Sequence, residues 1–311
     1  MTMLANRLKK NLKKLKSMLK TYNTDAYRLY CKDIPEFPYY IDIYGEVAII
    51  FEKGKRDGVD EPTKALKHQE IVEALDEVLN IPTEKIFFKT RTVHDRKSQY
   101  KPIDDNIQDK IIFEGEAKFI IKPNQYLDCG LFLDHRNLRK RIYQQASGKT
   151  LLNLFCYTGS FSIQAILGKS KHCTNVDMSK TYLKWFEDNA RLNRIDESSY
   201  TNVKENALEW LKAADKYKKS YDIIILDPPS FSNSKSMNGT FDVQRDHSFL
   251  VRRTMEYLNK DGVMYFSNNK LKFELDEFLH HHYKIKEITD KTIPIDFSRS
   301  NIHKCFEIRW K

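Results

Sequence analysis

The chain has 311 residues and a net charge of +10, with 41% hydrophobic and 12% aromatic residues. This composition excludes wholesale disorder, and the length allows one large or two ordinary domains, each with room for a core. No apolar run approaches the roughly 18 residues that span a bilayer, and the lysine-rich start lacks a signal-peptide core, so a cytoplasmic protein without a membrane partner is expected.

Before Asp25 stand seven Lys or Arg residues and no acidic side chain. Leu4, Leu8, Leu12, Leu15 and Leu19 form an apolar stripe at helical spacing, with Arg7, Lys9, Lys10, Lys13, Lys14, Lys16 and Lys20 around the rest. This basic amphipathic helix is either a solvated lysine-rich face or a polyanion contact. The stripe carries no Trp or Phe to anchor it in a membrane surface. From residue 26 to about 122 strand-like runs dominate: "AYRLYC", "YYIDIYG", "EVAIIFEK", "KIFFKTR" and the hairpin "KIIFEGEAKFIIKPN". One helix, "TKALKHQEIVEALDEVLN", interrupts them, and "HDRKSQYKPIDDNIQDK" reads as a long polar loop. Residues 1–122 are therefore expected to form a basic helix plus a small, mostly antiparallel α+β domain, and residues 123–311 a second domain.

From residue 150 strands and helices alternate strictly. The order runs "TLLNLF", "SFSIQAIL", "HCTNVDM", "KTYLKWFEDNARLN", "TNVKEN", "ALEWLKAADKY", "YDIIIL", "RDHSFLVRRTMEYL" and "GVMYFSN". Alternation with continuous apolar strands predicts a Rossmann-like α/β fold with a mostly parallel sheet covered on both faces. "KIKEITDK" and "KCFEIRW" read as a closing strand pair with an antiparallel member at the edge. Such sheets bind ligands beyond the carboxyl ends of their strands.

The first strand end, "NLFCYTGS", has one glycine, Gly159, where a pyrophosphate would need several. Asp177 ends the second strand about 20 residues on, where an acidic side chain accepts from ribose hydroxyls. A nucleoside cofactor without phosphates fits both, and S-adenosylmethionine is the common molecule of that description. Its methionine end would lie on the Asn153 to Ser160 loop, and its adenine edge near Asn206 and Ala207. The alternative at each Asp or Asn is a helix cap. The fourth strand ends in "DPPSF". Two prolines remove two donors and fix the carbonyls of Asp227 and Pro228 in direction. With the Asp227 carboxylate and the Phe231 ring, the turn offers acceptors and a stacking face to an unstacked nucleobase. Asn268 and Asn269, in "FSNNK", share that cleft edge, and Lys235, Arg245 and Lys270 are candidate phosphate contacts.

"DPPSF" resembles the Asp/Asn-Pro-Pro-aromatic motif of class I methyltransferases acting on nucleobases. Together with "CGLFLDHR", "NLFCYTGSFS", "VDMSKTYLKW", "FDVQRDH", "FSNNK" and "DFSRSNIHKC", the chain resembles the RlmK half of RlmK/RlmL 23S rRNA methyltransferases over nearly its whole length. The resemblance implies a seven-stranded class I fold and methyl transfer from S-adenosylmethionine to N7 of a guanosine in large-subunit rRNA, naked or in a precursor particle. It also implies that Asp134, Arg136, Asn153, Phe155, Thr158 and Gly159 line the methionine side. Asp177, Met178 and Ser179 would line the ribose and adenine. Asn206 stands where a member of that family carries Asp. No stretch resembles an RNA-capturing THUMP domain or a second methyltransferase half, which would leave RNA capture to the N-terminal module.

Asp227, Pro228, Phe231 and Asn268 are thus the expected acceptor-side residues. Methylation at pyrimidine C5 needs a nucleophilic Cys at the acceptor motif or fifth strand end, where none stands; Cys156 lies in the cofactor turn. An exocyclic amine as acceptor, or a non-catalytic rRNA-binding assembly factor, are the remaining alternatives. Cys31, Cys129, Cys156, Cys173 and Cys305 show no metal-ligand spacing, and His280, His281 and His282 point in different directions on a helix, so no metal is expected.

Overall fold

The computed structural model describes residues 2–53, 61–91, 109–213, 220–232, 240–298, 300 and 302–311. Lys235, most of the polar loop after residue 91 and the end of the "ALEWLKAADKY" helix lie outside the described residues. The chain divides into two compact units, Met1–Leu133 with Ile295–Ser300, and Asp134–Pro294 with Asn301–Lys311. The division falls after Leu133 rather than at the expected 122/123, because residues 123–133 fasten to the first unit. The Lys122 amide donates to the Cys129 carbonyl (2.8 Å), the Tyr44 hydroxyl to the Leu131 carbonyl (3.2 Å), and Lys89 Nζ to the Leu127 carbonyl (3.1 Å).

In the first unit α1 (Met3–Tyr22) starts on Thr2, whose hydroxyl accepts from the Ala5 amide, and stops at Asn23, which takes the left-handed conformation (φ 45°). Of its leucine stripe Leu4, Leu8 and Leu15 are buried and Leu12 and Leu19 partly buried in a core shared with α2 (Glu61–Leu79) and a four-stranded sheet ordered β1 (Ala26–Cys31), β2 (Tyr39–Tyr44), β3 (Val47–Lys53) and β4 (Ile86–Arg91). The first three strands pair antiparallel, while β4 pairs parallel to β3 because α2 supplies the crossover. A separate hairpin, β5 (Lys110–Glu114) and β6 (Ala117–Ile121), follows.

In the second unit α3 (Arg136–Gln145) precedes a seven-stranded sheet. In chain order come β7 (Thr150–Leu154), α4 (Ser160–Leu167), β8 (His172–Asp177), α5 (Lys180–Leu192), β9 (Tyr200–Lys204), α6 (Ala207–Lys212) and β10 (Tyr221–Leu226). A two-stranded ribbon of β11 (Phe231–Ser232) and β12 (Phe241–Asp242) leads to α7 (Val243–Met255), β13 (Leu258–Asn268), α8 (Phe278–His282), β14 (Tyr283–Glu287), α9 (Thr289–Thr292) and β15 (Lys304–Trp310). The sheet order is β14-β15-β13-β10-β7-β8-β9. Only β15 runs antiparallel to its neighbours, and it lies one strand in from the edge, not at the edge as the sequence suggested. Alternate residues of the central strands feed two cores. Leu152, Leu154, Ile224, Leu226, Met264 and Phe266 pack under α6 and α7, and Leu151, Ile223, Ile225, Val263 and Tyr265 under α3 and α4. The last fully paired row runs Val176, Leu154, Leu226, Phe266, so the next residues, Asp177, Phe155, Asp227 and Ser267, emerge together. Among the described residues no helix is long and apolar enough to cross a membrane.

Candidate active site

The turn from β7 into α4 is strained. Phe155, Tyr157 and Gly159 all have positive φ (57°, 52° and 69°), and the first two are bulky residues that rarely enter this region. Neighbours hold the turn in place. The Cys156 amide donates to the Val176 carbonyl (3.2 Å), the Gly159 amide to the Cys156 carbonyl (2.8 Å), and Asn189 Nδ2 to the carbonyl of buried Thr158 (3.2 Å). Gly159 is demanded twice: by its φ, and because a Cβ there would meet Phe186 Cδ2 at 2.1 Å.

Asp177 ties this turn to the next strand end. Its Oδ2 accepts from the Tyr157 amide (3.0 Å) and its Oδ1 from the Ser179 amide (2.8 Å), leaving further lone pairs for a ligand. Burial pushes the Asp177 carboxyl up to about 6, with the two amides opposing. Met178 is exposed beside it, and Ser179 caps α5 by accepting from the Tyr182 amide (3.3 Å). Asn206 caps α6 through its Oδ1, which accepts from the Leu208 amide (2.9 Å); Ala207 is buried behind it. The helix-cap alternative thus describes the Asn206 Oδ1. Asn153 is also turned inward: its Nδ2 donates to Ser162 Oγ (2.9 Å), which donates to Asn175 Oδ1 (2.5 Å), so its carboxamide braces β7, α4 and β8.

The residues expected on the acceptor side gather at β10 and β13. Asp227 Oδ1 accepts from the Ser267 hydroxyl (2.9 Å), and its Oδ2 lies 3.5 Å from His135 Nε2. Pro228 is buried, Phe231 is half-buried in the β11–β12 ribbon opposite Asp242, and the Ser230 hydroxyl donates to Asn269 Oδ1 (2.5 Å). Asn268 is buried, and its Oδ1 accepts from the Lys270 amide (3.2 Å). Of the expected phosphate contacts, Lys270 is neutralised by Asp242 (2.7 and 2.8 Å) and Arg245 by Asp246 (2.7 Å).

Behind both sides sits a buried cluster. Asp134 Oδ2 accepts from His303 Nδ1 (2.8 Å) and lies 3.7 Å from His135 Nε2, while His303 Nε2 meets Thr292 Oγ1 (3.0 Å). Burial opposes ionisation of Asp134, but His135, His303 and Arg139 together hold its carboxyl well below the usual range. Burial keeps His135 below its ordinary value, against the pull of Asp227 and Asp134. Arg136 is fully buried at the start of α3. His135, His303, Ser267 and Tyr157 were not singled out from sequence. The two histidines stand within quoted motifs, yet 169 positions separate Asp134 from His303 and no local spacing pairs them.

His135 Nδ1 and Asn268 Nδ2 are buried polar atoms without a hydrogen-bond partner among the described residues. With the lone pairs left on Asp177, they suit a ligand that both donates and accepts. A mostly parallel seven-stranded sheet with a strained first turn, an acid at the second strand end and Asp-Pro-Pro at the fourth is the architecture of a class I methyltransferase. A family model described as S-adenosylmethionine-dependent methyltransferase matches residues 91–286, and the chain belongs to that family. Its cofactor is S-adenosylmethionine. The chain is similar to "Ribosomal RNA large subunit methyltransferase K/L" of Colwellia psychrerythraea (44% identical over 308 residues, 98% of this chain and 43% of the relative). The same-named protein of Pseudoalteromonas atlantica is 42% identical over 305 residues, 97% of this chain and 43% of the relative. The chain therefore spans about two fifths of the length of these relatives, in keeping with its resemblance to one half of a two-part protein. Among solved structures, a methyltransferase designated SMU.776, complexed with SAH, superimposes with a TM-score of 0.77 at 25% identity, covering 98% of this chain and 80% of the other.

Proposed function

We propose that this protein methylates N7 of a guanosine in large-subunit rRNA, naked or within a precursor particle, in the cytoplasm. The observation that carries the reading is the Asp227-Pro228-Pro229-Ser230-Phe231 turn at the end of β10, in register with the cofactor strand ends, in a chain similar along its length to rRNA methyltransferases. Bound S-adenosylmethionine supplies an electrophilic sulfonium methyl group. Guanine N7 carries an available lone pair at neutral pH, so the displacement requires no general base. The residues of the chain need only align and stabilise.

Asp227 is suited to more than alignment. Its carboxylate and the Pro228 carbonyl accept from guanine N1–H and the 2-amino group while Phe231 stacks. As N7 takes the methyl group, the guanine ring gains positive charge and its N1–H becomes more acidic. The hydrogen bond to Asp227 then strengthens toward the transition state, which is the condition for accelerating the step. The Ser267 hydroxyl fixes one Asp227 oxygen and leaves the other to its remaining partners. Cysteine chemistry is disfavoured. Burial pushes the Cys156 thiol well above its ordinary value, with the Asp177 charge adding to the effect, and raises those of Cys173 and Cys305, so none is a ready thiolate. RNA capture is assigned to the first unit, where Lys10, Lys13, Lys14, Lys16 and Lys20 face solvent on α1.

Nucleoside mass spectrometry of rRNA from cells lacking the protein tests the reading. Loss of 7-methylguanosine alone is expected, and its retention with loss of another mark refutes it. In the purified protein Asp227→Ala should lower methyl transfer by about 10²–10³-fold, the scale of one preorganised electrostatic contact, while leaving cofactor affinity nearly unchanged.

A further inference from the structure

Two carboxylates from distant parts of the second unit converge on one imidazole. His135 Nε2 lies 3.5 Å from Asp227 Oδ2 and 3.7 Å from Asp134 Oδ2. Both separations exceed a directional hydrogen bond, so the contact is electrostatic. The ring has little freedom to leave. It is buried, stacked on His303 with centroids 4.7 Å apart and planes 7° apart, and edge-on to Phe161 at 5.5 Å. An imidazole lone pair at Nε2 would face carboxylate oxygens that only accept, so the favoured neutral tautomer carries its proton there.

The two carboxylates are not equally supported. Asp134 receives the His303 Nδ1 proton at 2.8 Å and feels the Arg139 charge. Asp227 has the Ser267 hydroxyl at 2.9 Å, and the Cys305 thiol beside it is itself pushed up by burial and by the Asp227 charge. We propose that His135 is a positioning residue for methyl transfer: its Nε2–H, set between Asp134 and Asp227, keeps Asp227 ionised and turned to receive the donors of the base. The proposal rests on the acceptor role given to Asp227 above.

Removing that proton donor would leave the two carboxylates with no donor between them, and like charges in one site raise the pKa of the less supported one. Asp134 keeps His303 and Arg139, so Asp227 is the less supported of the two. A protonated Asp227 is a poorer acceptor for N1–H. In His135→Phe, the acid-side fall of methyl transfer, about tenfold per pH unit for one proton, should therefore begin about one pH unit or more higher than in the wild type. The wild type should stay flat over that added interval. His135→Gln carries an amide N–H close to the Nε2 position and should restore the flat profile. His135→Asn, whose amide reaches only the Nδ1 position, should not, and it stands in for Phe if that variant does not fold.

Carboxyl ¹³C NMR on aspartate-labelled protein, with the Asp227 signal identified by its loss in Asp227→Asn, reads the carboxylate without reference to activity. A titration of Asp227 raised by about one unit or more in His135→Phe or His135→Asn, and returned by His135→Gln, is the expected result. An unchanged Asp227 titration overturns the proposal and leaves the acceptor role of Asp227 standing. A raised titration with no matching shift in the acid limb of methyl transfer overturns that acceptor role, and with it the use His135 makes of the carboxylate.

Discussion

Gly159→Ala isolates how tightly the β7–α4 turn is built. The substitution forces a side chain into a backbone at φ 69°, which costs about 1–2 kcal/mol for an L-residue in the left-handed region. The new Cβ would also sit 2.1 Å from Cδ2 of Phe186, which is fully buried and cannot yield without disturbing α5, adding about 1–3 kcal/mol of overpacking. Together these predict a loss of about 2–5 kcal/mol, which at about 2–4 °C per kcal/mol lowers the melting temperature by about 4–20 °C. Gly148 is the control: its φ is 70°, yet a Cβ there meets nothing within 4 Å, so Gly148→Ala should show the backbone cost alone. Calorimetric melts of both variants, and of Gly159→Ala combined with Phe186→Leu, complete the test. The shorter leucine should recover part of the loss through a coupling of about 1–3 kcal/mol. Equal melting temperatures for the two glycine variants, or no coupling to Phe186, would refute the steric reasoning.

Asp177 predicts two opposite pH effects. Its folded-state value of about 6 lies above that of an unfolded aspartate, so ionisation costs the folded state stability, and the unliganded protein should gain stability as pH falls through about 6. If the ionised Asp177 accepts from the ribose hydroxyls of the cofactor, as proposed, affinity measured by calorimetry should be flat above about pH 6 and fall about tenfold per unit below it; Asp177→Asn should abolish both trends. Cys156→Ala should keep methyl transfer, because a buried thiol with a raised pKa is not the nucleophile; complete loss in a radiolabelled methyl-transfer assay would restore the C5 reading. Replacing Lys10, Lys13 and Lys14 by Gln should weaken rRNA binding and reduce the slope of log affinity against log salt by about 0.7–0.9 per lost phosphate contact; an unchanged slope in filter binding would make the α1 lysines a solvated face.

What was legible in the sequence follows from how local each signal is. The strands of the second unit could be read because parallel neighbours need helical crossovers, and buried strands such as β10 and β13 are continuous apolar runs. Helix α3 escaped because its buried face carries Arg136 and Arg139 beside Leu138 and Ile142, so no clean apolar stripe marks it. The inner position of β15 escaped because partner choice is a long-range property: Phe306 pairs with Phe266 on one side and Glu287 on the other.

The strand-end residues separate by the same logic. Position was readable for all of them, but direction was not. Asp177 and Asp227 emerge at the carboxyl edge of the sheet, one tied to the β7–α4 turn and the other to β13. Asn153, also near the end of its strand, stands one row earlier, level with Asn175 and Ile225, and there its carboxamide meets Ser162. In a pleated strand one residue of register decides which face a side chain takes, and sequence alone fixes the register only where one face is polar. Both faces of this sheet are covered, so an asparagine within it carries no mark of its direction. His135 shows the converse. Its chemistry is set by Asp227 and His303, which reach it only through the order of β10, β13 and β15 in the sheet, so a buried histidine beside an aspartate in the sequence could not announce that it lies between two carboxylates.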